Sequence, residues 1–313
     1  MNRIIPAILI WSLLALSATV ACAASGPVVI LLSDDETAYS LPVATFRAEF
    51  EGPVQIFNLE GDVDRAEKVM GEILALDPSL LFTLGAKASY VAKIWTRDRP
   101  ELPVLFAMVL NWQRYRLTEG QENVFGIDSG VEPGVQFAHM LMLSPAIKRI
   151  GVIYNADLSK ETVVQARAAA QVFGVDLVEQ TVSRSSDLQR AYQEISGRID
   201  GLLILADPVV YTLENVAWLQ SRCMRDQLIC VGQSENVAKT GILMAIDPDV
   251  PNIGAQAAAM ARSVLTGRQK PTDVGVMPPL GTRLYLNLRT AHKIGLQPSR
   301  AAINLASEVF DEQ

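Results

Sequence analysis

Histidine, cysteine and positive charge are all scarce in this chain. Its 313 residues hold two histidines, three cysteines and 27 Lys plus Arg against 34 Asp plus Glu, for a formal net charge of -7. His139 and His292 are far apart and lack metal-ligand spacing, so each reads as a surface or capping residue. A G-x-S-x-G elbow, a Walker loop and a G-x-G-x-x-G fingerprint are also missing, and nothing positive supports an enzyme or a cofactor. The acidic balance, with no basic stripe, zinc-finger spacing or recognition-helix signature, argues against a nucleic-acid partner. After Leu16 no apolar run approaches the roughly 18 residues of a membrane span.

The one long apolar stretch stands at the start. Ile4 to Leu16 follows Arg3, and Ala21-Cys22-Ala23 fits the small-residue cleavage pattern, so residues 1–23 read as a signal peptide. The expectation is a soluble monomer exported to a bacterial periplasm. The alternative is a lipoprotein anchored at Cys22, although Thr19-Val20-Ala21-Cys22 lacks the Leu that usually opens a lipobox. Cleavage leaves Cys223 and Cys230. Two small buried core thiols are the simpler reading of that pair, and an oxidising compartment leaves a disulfide open.

What the chain does have is repeated short apolar runs. In the first half they are Val28–Leu32, Val54–Phe57, Leu80–Thr83 and Val104–Ala107; in the second, Ile150–Ile153, Val175–Val178, Leu202–Leu205 and Leu228–Val231. A spacing of roughly 25 residues accommodates one strand, one crossover helix and two short loops. Runs this apolar suit strands covered on both faces. The fold class expected is α/β, with two doubly wound parallel-sheet lobes joined by a multi-strand hinge. The pattern predicts a helix over 36–51, with Leu41, Ala44, Phe46 and Phe50 inward, and another over 62–76, with Val63, Ala66, Val69, Met70, Ile73 and Leu74 inward. Chain crossings are expected near Asp128–Pro133, Asp247–Pro251 and Pro278–Arg283. Lobe one is then 24–128 plus about 248–280, and lobe two 129–247 plus about 281–313.

Ligands of open α/β sheets bind beyond the carboxyl ends of the strands. The loops there supply the candidate ligand-binding residues. Ser33, Asp34, Gly85, Ala86, Lys87, Ala88, Asn111, Trp112 and Asp128 come from the first lobe, and Asn155, Asp207, Ser234 and Asp247 from the second. Backbone N–H groups at helix starts favour a carboxylate, and aspartates opposite suit an ammonium group. Trp112 offers a flat apolar wall. The same Ser, Asp and Asn side chains also serve as ordinary helix caps and turn formers.

Four segments carry a family resemblance: Ile150–Asn155 (IGVIYN), Val175–Leu188 (VDLVEQTVSRSSDL), the stretch from Thr240 to Gly267, and Leu284–Leu296 (LYLNLRTAHKIGL). Together they resemble the ABC-transporter substrate-binding protein family that includes tryptophan- and tyrosine-type binders. The resemblance implies a type I periplasmic binding-protein fold and a small-molecule ligand, with an amino acid as the candidate. It also implies an ABC permease in the inner membrane as partner. It maps ligand contacts onto Gly85–Ala88, Asp128, Asn155, Asp207 and Asp247. Lobe one departs from the family pattern. Val109-Leu110-Asn111-Trp112 stands where Thr-Asp-Pro is usual, Gly85-Ala86-Lys87 where Gly-Thr is usual, and Ser33-Asp34-Asp35-Glu36 lacks a His-Pro pair.

Three functions compete on this reading: a transport receptor for a small organic solute, a periplasmic ligand-binding sensor module without transport, and a periplasmic enzyme on a two-lobed scaffold. The first is the expectation.

Overall fold

The computed structural model describes residues 26–311. The signal-peptide and Cys22 readings lie outside the described residues. Five strands come first: β1 (Val28–Leu32), β2 (Val54–Asn58), β3 (Leu80–Leu84), β4 (Val104–Ala107) and β5 (Val124–Ile127). Five more follow: β6 (Arg149–Tyr154), β7 (Asp176–Thr181), β8 (Gly201–Leu203), β9 (Ile229–Gly232) and β10 (Met244–Pro248). The short β11 (Val276–Met277), β12 (Thr282–Asn287) and β13 (Glu308–Phe310) complete the set.

They form two sheets, in the orders β11-β5-β4-β3-β1-β2 and β13-β12-β10-β9-β8-β6-β7. The winding β2-β1-β3-β4-β5 in one sheet repeats as β7-β6-β8-β9-β10 in the other. The two lobes are thus α/β units of the same plan, the fold class that the spacing of the apolar runs predicts. Burial follows position in the sheet. Central β3 is buried along its whole length, whereas edge strand β2 exposes Gln55 and Ile56.

Pairing is parallel throughout except between β10 and β12. The connectivity explains the exception. After β10 the chain leaves lobe two, forms helix Val250–Leu265 and β11 against the first sheet, and re-enters through β12. A strand that returns from the cleft side must run opposite to one that leaves by it.

In lobe one, helices Ser40–Glu49 and Val250–Leu265 cover one face of the sheet, and Ala66–Ala75 and Ala86–Trp95 cover the other. Gly254 lets the first two cross closely, because a Cβ there would collide with Thr45 Oγ1 and the Pro42 carbonyl. In lobe two, Pro133–Leu143 and Ala156–Phe173 share one face, and Leu188–Ile195 and Leu213–Arg225 the other.

The first helix starts later than its sequence suggests. A 3-10 turn at Thr37–Tyr39 precedes Ser40–Glu49 and resets the phase. Pro42 and Phe46, four residues apart, therefore face the sheet, while Leu41 and Ala44 face solvent. Val63 likewise sits in a 3-10 turn and is exposed.

Cys223 and Cys230 form a disulfide, with Cα atoms 6.4 Å apart, and this corrects the reading of two separate thiols. The cause is the tight reversal between them. Gln227 adopts φ 54°, and the Leu228 N–H donates to the Cys223 carbonyl at 2.9 Å, folding β9 back on the end of helix Leu213–Arg225.

Candidate functional site

Three cavities meet at Asn111 in the groove between the lobes. The smallest, about 180 Å³, is polar, with Trp112, Asp128, Glu132, Thr162, Gln165 and Gln233 among its walls. The second, about 410 Å³, has an apolar wall of Leu158, Leu205, Tyr211, Val216 and Val237. The third, about 520 Å³, is a charged mouth with Arg114, Arg116, Glu119, Asp157 and Glu161.

The loop after β4 forms the lobe-one wall. It is strained: Met108, Asn111 and Arg116 take positive φ values of 57°, 51° and 50°. Non-glycine residues in that region are concentrated where a site demands a particular backbone path. The path turns Trp112 back onto Phe106, with ring centroids 5.8 Å apart, and sends its indole N–H to Asp128 Oδ2 at 3.3 Å. Asp128 Oδ1 accepts the Gly130 N–H at 2.9 Å. Each carboxylate oxygen of Asp128 keeps a lone pair for a further donor.

The other lobe-one candidates lie outside these three cavities and serve their own lobe. Ser33 is buried, and its hydroxyl accepts the Ala88 N–H at 3.0 Å, capping helix Ala86–Trp95. Gly85 has φ 87° and no room for a side chain, since a Cβ would strike Tyr39 Oη. Burial, then the charges of Glu36 and Asp34, push the Tyr39 phenol up to about 12. Asp34 accepts the Glu36 N–H at 3.0 Å, and Lys87 Nζ donates to the Gly61 carbonyl at 2.7 Å. Ala86 and Ala88 begin the helix that follows Gly85.

Lobe two holds Asp207 almost fully buried, with all four carboxylate lone-pair directions used. Asn155 N–H and Ser159 Oγ donate to Oδ2, each at 2.8 Å; Val209 and Val210 N–H donate to Oδ1 at 3.1 and 3.2 Å. Asn155 caps the next helix through Asp157 N–H, and its amide donates to the Val182 carbonyl. Asp247 accepts the Ser234 and Glu235 N–H groups at 2.6 and 2.9 Å, and burial pushes its carboxyl upward against those bonds. The helix starts at Ala156 and Glu235 are thus closed by side chains of the chain itself. Tyr211, part of the apolar wall, donates its hydroxyl to the Ile153 carbonyl at 2.7 Å. Burial and the charge of Asp207 hold its phenol well above the ordinary range.

Among the sequence candidates, the structure brings Asn111, Trp112, Asp128, Asp207, Ser234 and Asp247 to the cavities. Sequence reasoning missed Glu132, Thr162, Gln165 and Gln233. Gln233 directly follows β9, so the after-strand rule that picked Ser234 covers it too. Ser159, Thr162 and Gln165 lie three residues apart on one helix, a polar stripe visible in the sequence. Among the described residues, no group of three or more His, Cys, Asp or Glu side chains is arranged to hold a metal ion.

A family model described as "ABC transporter substrate binding protein" matches residues 51–310. A tyrosine-binding protein of Clostridioides difficile is 22% identical over 246 residues, covering 77% of this chain and 70% of that protein. A ligand-free, open substrate binding protein with adhesive properties from Clostridium difficile superposes with a TM-score of 0.74 at 18% identity. That match covers 92% of this chain and 100% of that one. An ABC domain from Streptococcus pneumonia, solved in complex with L-Trp, gives a TM-score of 0.61 at 18% identity over 90% of this chain and 100% of that one.

Proposed function

The chain belongs to the ABC transporter substrate binding protein family, and from that premise we propose that it is an extracytoplasmic receptor for an amino acid with an apolar side chain. It holds the solute between its lobes as a monomer and delivers it, unchanged, to a membrane permease of the ABC class. The signal-peptide reading of residues 1–23 supports export to the periplasm.

One observation carries the reading. A polar cavity containing Asp128 and Glu132, with no Lys, Arg or His among the described residues that line it, opens beside an apolar cavity in the same groove. Carboxylates without a protein counter-ion favour an ammonium group. The apolar wall of Leu158, Leu205, Tyr211 and Val216 suits a hydrocarbon or aromatic body. Relatives named for tyrosine and solved with L-Trp agree with that pairing. The Cys223–Cys230 bridge fits an oxidising compartment.

A thermal-shift panel of amino acids, organic acids, nucleosides and sugars tests the proposal. A ligand at 100 times its dissociation constant adds about 2.7 kcal/mol. Stabilisation confined to apolar amino acids is the expected outcome. Stabilisation by a sugar or nucleoside alone, or turnover of the bound compound, contradicts it.

A further inference from the structure

Arg114 is the one Lys, Arg or His among the described residues that line the apolar cavity, and it also lines the charged mouth. Among the described residues its guanidinium donates no hydrogen bond and meets no carboxylate within ion-pair distance, whereas Arg116, two residues on, pairs with Glu119 at 3.7 Å. Five N–H donors therefore stand at the groove without a protein acceptor.

The loop after β4 fixes where that charge stands. Asn111 and Arg116 take left-handed backbone, with φ of 51° and 50°, and bracket the single 3-10 turn Trp112–Tyr115. The Arg114 N–H donates to the Asn111 carbonyl at 2.9 Å, and Asn111 lines all three cavities. In the same turn Trp112 donates to Asp128 Oδ2. One short turn thus carries the Arg114 cation and orients the Asp128 carboxylate. Asp128 takes its donors from Trp112 and Gly130, not from Arg114. A cation and a carboxylate tied to one turn and left unpaired match the two charges of an amino-acid zwitterion.

Other places for a ligand carboxylate are closed. Asn155 and Asp247 already hold N–H groups at the helix starts of Ala156 and Glu235. Asp207 and Asp247 line the lobe-two side of the apolar cavity, where like charge repels a further carboxylate. Asn111, Thr162, Gln165 and Gln233 are neutral donors. Arg114 supplies both a formal charge and a planar fork that meets a carboxylate with two parallel hydrogen bonds. We propose that Arg114 is the specificity-determining residue that receives the ligand carboxylate where the apolar cavity opens to the mouth. The inference rests on the amino-acid reading of the groove given above. Its rival is a closing contact with Asp157 and Glu161, which line the mouth from lobe two.

The test is calorimetry with L-tryptophan, L-tyrosine and L-leucine, with their three primary amides, and with indole-3-propionate. The amides keep the amine and side chain but lose the negative charge; indole-3-propionate keeps the carboxylate and ring but lacks the amine. The wild type should bind the acids at least tenfold tighter than the amides. In Arg114→Met, affinity for the acids should fall at least tenfold while affinity for the amides stays within threefold. Arg114→Lys, which keeps the charge and loses the fork, should fall between. Ligand-free melting of both variants should stay within about 2 °C of the wild type, since an exposed, unpaired side chain is replaced. Equal losses for acids and amides would assign Arg114 to closing the mouth against Asp157 and Glu161 and overturn the proposal. Unchanged acid affinity in Arg114→Met, a wild type indifferent to amidation, or failure of both variants to fold would each overturn it too. The two readings separate on the remaining ligand. Indole-3-propionate bound as tightly as L-tryptophan, and lost in Arg114→Met, upholds Arg114 and rejects the amino-acid reading. A preference for L-tryptophan over indole-3-propionate with indifference to amidation does the reverse. A wild type that binds none of the seven compounds ends both.

Discussion

The indole N–H of Trp112 donates to Asp128 Oδ2 at 3.3 Å, joining the strained loop after β4 to the first crossing between the lobes. A donor that approaches Asp128 from the cleft therefore acts on the same carboxylate that orients the ring. Trp112 should report binding. Ligand-induced change in tryptophan fluorescence is expected to disappear in Trp112→Phe and to persist in Trp95→Phe and Trp218→Phe. A signal that survives Trp112→Phe separates the ring from the site.

Asp207 was a candidate for an ammonium partner on sequence grounds, but its four hydrogen bonds all come from lobe two. Asp207→Ala should destabilise the protein by about 3 kcal/mol, since it strands buried N–H groups and the Ser159 hydroxyl. Affinity of the fraction that remains folded should change less than threefold. Urea unfolding and calorimetry at a temperature well below the transition check the two halves. An affinity loss without a stability loss would return Asp207 to the ligand.

That contrast shows what the sequence makes legible. Apolar runs such as Leu80–Leu84 and Val104–Ala107 announce buried parallel strands because nothing else requires that composition. An Asp, Ser or Asn after a strand looks the same whether it serves a ligand or a neighbouring loop. The donors that decide the matter for Asp207 include Asn155 N–H, 52 residues away in the chain. The antiparallel β12 depends on where the chain crosses, which local pattern does not encode.

The Cys223–Cys230 bridge closes a short loop in the lobe-two core. Replacing both residues with Ser should lower stability by about 2–3 kcal/mol on the loop-entropy argument. The wild type should lose a similar amount in reductant during thermal melting, and the double variant should be insensitive to it. Reductant-independent melting of the wild type would show that the bridge does not form.

Asp200 supplies a pH test. Burial would raise its carboxyl, but the backbone N–H groups of Lys148 and Arg149 and the Arg149 guanidinium hold it below the usual carboxylate range. A depressed folded value means that the unfolded chain binds protons more readily. The contribution of Asp200 is therefore complete above the unfolded value of about 3.9 and is lost as pH falls through the folded one. Asp200→Asn should be less stable than the wild type at neutral pH, and the gap should narrow in acid. A gap that stays constant from neutral pH into that range contradicts the assignment.

The most direct measurement is a crystal structure of the protein soaked or grown with the amino acid that the thermal panel selects. The account predicts density in the groove between the lobes, with the ligand amine within hydrogen-bond distance of Asp128 and its apolar body against Leu205 and Tyr211. A molecule lodged outside that groove, or one whose amine meets Asp207 instead, would contradict it.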